Sequence, residues 1–468
     1  MTDTVKRIHL VAACGTGMGT LACLLKEMGY EVTGSDRNVY PPMSDFLEEN
    51  NIRLFSGFDP DNISTDPLKA PDLVIIGNAV TRENPEARAV MDRGIPYMSM
   101  PQAVNRFIAG DKKIILVTGT HGKTTTSSIM AHLLETAGLS PSFMVGGILK
   151  DFDSSFKIGS GEYMVIEGDE YDTAFFDKGP KFMHYDPYIT IMTGIEFDHA
   201  DIFTDLEHIS RIFREFILKT KDLSHIIACN ENSTLSQVLA DAGARAETYG
   251  KEGDWEFFDH DTKTGRTCAR LKGPGTELVL DTPLQGRHNL LNATACIAAA
   301  RRLGISDENI LEGLAGFSGV KRRQEIRGVK KGITVMDDFA HHPSAVKETI
   351  AGVRPFYTKG RLVAVFEPRT NTSMRRFFQD IYPRAFDKAD MVCICDPCVK
   401  KDIPEDERFS PARLAGDIER RGVPARHFET PDEVIDALVP ELKAGDLVLI
   451  MSNGGFGNIH ERLLERLG

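Results

Sequence analysis

Short apolar runs that stop on glycine, aspartate or asparagine recur along this chain. In the first half they occupy residues 8–13, 72–78, 114–117, 163–167 and 188–192; in the second, 333–336, 362–366, 391–395 and 447–451. Runs of this length without polar alternation predict strands buried on both faces, as in a parallel sheet covered by helices. Helical stretches separate them: from the glycine turn at 14–19 through Met28, 127–134, an alanine-rich 289–303, then 344–353, 373–386 and 433–442. Regular strand–helix alternation predicts α/β units with right-handed crossovers. Only after about residue 250 does the pattern change, to short β-like pieces around Trp255 and 278–280. The expected organisation is three α/β blocks, 1–110, 111–324 and 325–468, the middle one carrying a small β part; a chain of 468 residues has room for them.

Composition is that of an ordinary globular protein, 41% hydrophobic and 26% charged. The net charge of −13 argues against nucleic-acid or membrane-surface binding, both of which need excess lysine and arginine. No apolar run approaches the roughly 20 residues of a membrane span. The N-terminus lacks the apolar core of a signal peptide, so cytoplasm is the expected location. Of eight cysteines, Cys393, Cys395 and Cys398 cluster, but no second pair or suitably spaced histidine accompanies them. All three are expected to be buried and structural rather than metal ligands.

Chemistry gathers at the ends of the apolar runs. Gly119-Thr120-His121-Gly122-Lys123-Thr124-Thr125 follows the strand 114–117 and opens a helix. Backbone N–H groups and the helix start face phosphates in such a turn, Lys123 supplies a charge, and Thr124 suits Mg²⁺. The loop is shorter than the common phosphate loop, since Val117 stands where the first glycine would be. Gly15-Thr16-Gly17-Met18-Gly19 opens a helix in the first block, with Asp36 closing the next strand and Asn78 a later one. On those residues a dinucleotide and a nucleotide diphosphate fit equally well. Glu167-Gly168-Asp169-Glu170-Tyr171-Asp172 places four carboxylates at a strand end, where Mg²⁺ is commonly held by one or two carboxylates and substrate phosphates. His199 lies among Glu196, Asp198 and Asp201 after another strand. His288, Asn289 and Asn292 cluster at the start of the alanine-rich helix, and Arg322-Arg323 precedes Asp337-Asp338-Phe339-Ala340-His341-His342-Pro343.

Taken together and in order, the short loop, the E-x-D-E-x-D stretch, D-H, H-N-x-x-N, R-R and D-D-x-x-H-H-P resemble the Mur ligase family, the ATP-dependent enzymes that build the peptidoglycan stem peptide. The likeness covers essentially the whole chain. It implies a Rossmann-like UDP-binding domain, a central ATPase domain, and a C-terminal Rossmann-like domain that binds the incoming amine and closes over ATP. It implies ATP and Mg²⁺ as cofactors and a reaction through an acyl phosphate. Carried residue by residue, it puts Lys123, Glu167 and His199 at the reacting centre, with metal held by Thr124, Glu167 and His199. ATP would meet Gly119–Thr125, His288, Asn289, Asn292, Arg323 and Asp338. The UDP end of UDP-N-acetylmuramate would meet Gly15, Thr16, Gly17, Met18, Gly19, Asp36 and Asn78. Phe339, His341 and Arg369 are candidates for the amine side.

Two branches are close. One adds L-alanine; the other adds the recycled tripeptide L-alanyl-γ-D-glutamyl-meso-diaminopimelate. The stretches 38–44, 171–178, 196–203, 367–372 and 451–457 resemble the tripeptide branch. The alanine branch usually has tyrosine where this chain has Phe339, and P-H-R in place of Pro368-Arg369-Thr370. Elsewhere in the family a lysine carbamate follows the D-H histidine; Phe213 occupies that place here, so no carbamate is expected. Folylpolyglutamate synthetases lack a UDP-binding first block, and a dehydrogenase leaves the phosphate loop unexplained. A non-catalytic nucleotide-binding regulator would need no acidic metal stretch.

Overall fold

The computed structural model describes residues 5–39, 43–200, 202–263, 265–398 and 403–468; Tyr40, Pro41 and Pro42 of the 38–44 stretch, and Asp201, lie outside them. Parallel sheets covered by helices dominate, as the apolar runs predict. In the first sheet the strands Arg53–Ser56, Glu31–Asp36, Arg7–Val11, Leu73–Ile76 and Tyr97–Ser99 lie side by side in that order, all parallel. The order reverses at Arg7–Val11, and open α/β sheets bind ligands beyond the strand ends at such a reversal. The glycine turn sits there. Gly15 caps the helix Thr16–Glu27 without a side-chain hydrogen bond, which leaves first-turn N–H groups available to an anion.

The central sheet has seven strands, ordered Glu247–Tyr249, Ile226–Cys229, Pro187–Met192, Lys113–Thr118, Tyr163–Gly168, Ser142–Leu149 and Ser154–Lys157. Its last pair is antiparallel. The β-like pieces after residue 250 form an antiparallel sheet of Glu256–Lys263, Arg266–Gly273 and Thr276–Thr282. The first and central sheets share one continuous hydrophobic core. The C-terminal sheet packs a separate core on each face. Phe197 touches both the shared core and one of the C-terminal ones.

The C-terminal sheet runs Glu325–Lys330, Ile333–Asp338, Leu447–Met451, Leu362–Phe366, Met391–Cys395, Ala425–Phe428. Sequence reading missed its first strand, an antiparallel edge whose Ile326 and Val329 are exposed and give no buried pattern. The helix expected over 373–386 is instead two short 3₁₀ turns, Arg376–Phe378 and Tyr382–Phe386. Arg375 is extended and bridges to Arg408, and Pro383 cannot donate a helical hydrogen bond. The helix expected over 433–442 is Pro431–Leu438; Pro440 ends it. Cys393 and Cys395 are buried as expected, but Cys398 is exposed. Among the described residues no helix is long and apolar enough to cross a membrane.

Phe213 is fully buried on the helix Leu206–Lys219 and stacks on Phe182 at 4.9 Å between ring centroids. Phe213→Ala should therefore destabilise the protein by about 3 kcal/mol or more. Denaturant unfolding measures this; a loss below about 1 kcal/mol, the scale of a tolerated core swap, would show that the ring does not pack as described.

Candidate functional site

The strand Lys113–Thr118 leads into the turn at 119–122, and Gly122 caps the helix Lys123–Thr136. Two positions demand glycine. Gly119 has φ +121° and Gly122 φ +82°; a Cβ on Gly119 would collide with Thr193 and Gly194, and one on Gly122 would lie 2.7 Å from Asn292 Oδ1. Thr193 Oγ1 donates to the His121 carbonyl at 2.6 Å, which further fixes the turn. Lys123 folds back on its own loop. Its Nζ donates to the carbonyls of Gly119 at 2.6 Å and Thr120 at 3.2 Å, and to Glu170 Oε2 at 2.7 Å. Glu170 is buried, although Tyr171 beside it is exposed.

A chain of polar contacts crosses the cleft from this helix. Thr124 Oγ1 donates to Glu167 Oε2 at 3.2 Å, and Glu167 Oε1 accepts from the Gly146 N–H at 2.7 Å. Arg323 Nη2 donates to Thr124 Oγ1 at 3.3 Å. Burial pushes the Glu167 carboxyl up, against the pull of Lys123 and Arg323. The Arg323 guanidinium lies 4.4 Å from the centroid of the Phe339 ring, with Arg322 at 5.3 Å. Arg322 Nη2 also donates to the carbonyls of Ser452 and Gly454, at 2.7 and 2.6 Å. Asp338 accepts from the N–H groups of Gln324 and Ala340, each at 2.8 Å, and burial raises its pKa.

The helix Arg287–Arg302 adds His288, Asn289 and Asn292. Asn289 Nδ2 donates to Gln324 Oε1 at 3.1 Å, and Asn292 Nδ2 to Asn289 Oδ1 at 3.3 Å. His199 adopts φ +55°, and its ring lies 4.4 Å from that of Tyr171. His341 Nε2 is 3.7 Å from Asp198 Oδ2; burial would raise the Asp198 carboxyl, but His341 and its neighbours hold it well below the usual range. Thr120 to Thr125, Glu167, His199, His288, Asn289, Asn292, Arg323, Asp338, Phe339 and His341 all line one cleft of about 420 Å³, the size of a small-molecule site.

The other expected residues lie elsewhere. Gly119 is not among the cleft-lining residues; its carbonyl accepts from Lys123 Nζ. The glycine turn of the first sheet is a separate feature, where Asp36 Oδ2 accepts from the Cys14 N–H at 2.9 Å and Asn78 is exposed. Arg369 is outside the cleft lining: its Nη1 is 3.7 Å from the buried Glu367, and a side chain on Gly454 would run into its guanidinium. Sequence reading assigned no role to Gly146, Thr193 or Gln324, and did not foresee Glu170 as the partner of Lys123, although Glu170 stood in the acidic stretch.

His288 is pressed down to about 4 by burial, and His342 to about 3 by burial and His121 against Asp198 and Glu196. Both stay neutral in the folded state at pH values where the unfolded chain takes up their protons. Stability present above about pH 6.5 should therefore be lost as pH falls toward 4, at up to about 1.4 kcal/mol per pH unit for each histidine. Replacing His288 with glutamine should flatten the pH dependence of the denaturation midpoint between 6.5 and 4; an unchanged slope would remove His288 as a contributor.

The chain matches the Mur ligase family, catalytic domain, over 7–112, the Mur ligase middle domain over 117–300, and the Mur ligase, glutamate ligase domain, over 322–454. It is 40% identical over 466 residues to the UDP-N-acetylmuramate–L-alanyl-γ-D-glutamyl-meso-2,6-diaminoheptandioate ligase of Escherichia coli (strain K12), covering 98% of both chains. It is 32% identical to the UDP-N-acetylmuramate–L-alanine ligase of Desulforamulus reducens, covering 99% of this chain and 98% of that one. Among solved structures, the murein peptide ligase of Psychrobacter arcticus 273-4 superposes with a TM-score of 0.70 at 32% identity, covering 99% of each chain. The chain belongs to the Mur ligase family.

Proposed function

We infer that this protein is an ATP-dependent ligase that forms an amide between the lactyl carboxylate of UDP-N-acetylmuramate and the free amine of L-alanyl-γ-D-glutamyl-meso-diaminopimelate. The observation that carries the choice of amine is the full-length 40% identity to the tripeptide ligase against 32% to the L-alanine ligase at equal coverage. The Phe339 and Pro368-Arg369-Thr370 departures point the same way. Residues 1–110 are assigned to the UDP-sugar, 111–324 to ATP, and 325–468 to the peptide and to closing over ATP.

The chemistry runs in two steps. A lactyl carboxylate oxygen attacks the γ-phosphorus as the bond to the ADP oxygen breaks, leaving an acyl phosphate and ADP. The tripeptide amine then attacks the acyl carbon, loses a proton, and phosphate departs as the amide forms. Phosphoryl transfer of this kind needs positioning and charge neutralisation more than covalent protein chemistry. Lys123 exchanges Glu170 for the transferring phosphate. The loop N–H groups at the start of Lys123–Thr136 hold the neighbouring phosphates. Arg323 reaches the nucleotide from the domain junction. Neutral His288 packs with Asn289 and Asn292 against the nucleotide, and Asp338 holds the loop that faces it. Thr124 Oγ1 and Glu167 Oε2, 3.2 Å apart, are the oxygen donors that Mg²⁺ prefers, with His199 a further ligand of the same cleft. Bound Mg²⁺ would neutralise phosphate charge there.

Incubation with ATP, Mg²⁺ and UDP-N-acetylmuramate, with tripeptide or L-alanine in separate reactions, tests the assignment. ADP should form together with a product of the tripeptide adduct's mass, and faster turnover with L-alanine would overturn the choice of amine. Lys123→Ala should lower kcat on the order of 10²–10³-fold or more; near-normal turnover would remove the phosphate-loop reading. Arg369→Ala should raise the tripeptide KM about tenfold or more while leaving the ATP KM nearly unchanged. Equal effects on both would sink the role of Arg369.

A further inference from the structure

We propose that His121, Glu196 and His342 form a binding site for a first-row transition cation, with Zn²⁺ the best match, joining the central domain to the C-terminal domain beside the phosphate loop. The three ligand atoms all lie within 4.8 Å of one another, the one such convergent set of histidine and carboxylate ligands among the described residues. Glu196 Oε2 is 3.8 Å from His121 Nε2 and 3.7 Å from His342 Nδ1. Tetrahedral Zn²⁺ with bonds of 2.0–2.2 Å sets its ligand atoms ~3.4 Å apart, so side chains need to close by tenths of an ångström at Glu196 and somewhat more between the rings.

Hydrogen bonding around the trio favours a cation at its centre. His342 Nε2 faces the Phe197 carbonyl at 3.3 Å, a contact that requires the proton on Nε2 and leaves the Nδ1 lone pair toward Glu196. Metal-binding histidines are commonly oriented by such a carbonyl on the other ring nitrogen. That Nδ1 lone pair has only a weak rival, the Ser344 N–H at 3.3 Å. Ser344 Oγ donates to Glu196 Oε2 at 2.6 Å, which orients the carboxylate as a supporting shell would. His121 Nε2 is withdrawn from water and has no hydrogen-bond partner. The His342 and Glu196 acceptors thus converge with a His121 ring nitrogen that nothing else among the described residues engages, and the donors that reach the set all come from Ser344.

Two imidazoles and one carboxylate suit Zn²⁺ and its neighbours in the transition series rather than Mg²⁺, which prefers oxygen. The set shares no ligand with the Thr124–Glu167 pair. His121 lies in the phosphate loop, Glu196 follows the strand Pro187–Met192, and His342 caps the helix Pro343–Val353 of the C-terminal domain. A cation there would tie the loop to that helix.

Co²⁺ binding to the full-length, nucleotide-free protein tests this, with visible absorption and metal counting as readouts. One equivalent should bind with the intense bands of a low-coordinate site, and Zn²⁺ but not Mg²⁺ should displace it. Glu196→Gln and His342→Gln, on separate segments and each checked by thermal melting, should weaken Co²⁺ at least about tenfold, whereas Glu167→Gln should leave it unchanged. No binding by the unaltered protein, bands that survive in a folded Glu196→Gln or His342→Gln protein, or loss in Glu167→Gln instead would each overturn the site. If neither variant folds, His121→Gln gives the same reading. No turnover is measured, so failure here leaves the ligase assignment standing, and failure of that assignment leaves this site standing.

Discussion

Arg323 is a cation largely withdrawn from water, held between carboxylates that belong to different sheets. Burial lowers its pKa while Asp338 and Glu167 pull it back up. An arginine in such a place is tolerable only when its charge is answered on several sides, and removing one partner leaves a charge that costs more than the pair ever gave. Glu167 comes from the end of Tyr163–Gly168 in the central sheet, and Asp338 from the end of Ile333–Asp338 in the C-terminal sheet. Phe339 presents its face to the same guanidinium. The cleft keeps its shape because these groups must meet, and the strand ends that carry them are thereby brought to one place.

The distribution of apolar surface explains why the cleft opens there. The first and central sheets bury their contact in a single core; Phe175 and Phe176, in the segment after Tyr163–Gly168, pack against a second, smaller cluster on the first sheet around Val11, Val74 and Ile76. The C-terminal sheet keeps its cores to itself and meets the central one mainly through polar groups, with Phe197 the apolar link. Polar seams between domains resemble transient interfaces more than interiors. Under the proposed function, a nucleotide at this seam would replace protein–protein charge contacts with phosphate contacts, drawing Lys123 from Glu170 and adding a phosphate to the two carboxylates that already face Arg323. The apolar joint fixes the glycine turn of the first sheet relative to the phosphate loop, whereas the polar joint is the one whose contacts a ligand could exchange.

What was legible in the sequence was local. A strand, a glycine turn and a helix fix the phosphate loop within a dozen residues, so Gly119, Gly122 and Lys123 could be read directly. Buried parallel strands announce themselves by unbroken apolar runs. The edge strand Glu325–Lys330 faces water and carries no such run, so it stayed hidden. Residues 373–386 had helical spacing, but a tertiary bridge at Arg375 and the proline at 383 overrode it. Most opaque were pairings between distant segments: Glu170 with Lys123, Gln324 with Asn289, and the meeting of His121, Glu196 and His342. Nothing in local pattern announces such a contact, because the topology of the sheets makes it.

The residues proposed for the amine side lie on the same seam. Phe339, a candidate for the amine side, lines the cleft and also presents its ring to Arg322 and Arg323, and Arg322 in turn holds the carbonyls of Ser452 and Gly454. Gly454 lies against Arg369, where any side chain would displace the guanidinium. Ser452 Oγ and the Cys398 N–H both reach Glu367, the buried carboxylate beside Arg369. Phe339 and Arg369 are therefore joined through the 452–454 loop rather than acting independently. A phenol in place of the phenyl ring would bring a hydroxyl that needs a partner in this packed cluster, and its effect would pass through Arg322 to the loop that seats Arg369. Two changes that look separate along the chain are one adjustment of a single surface.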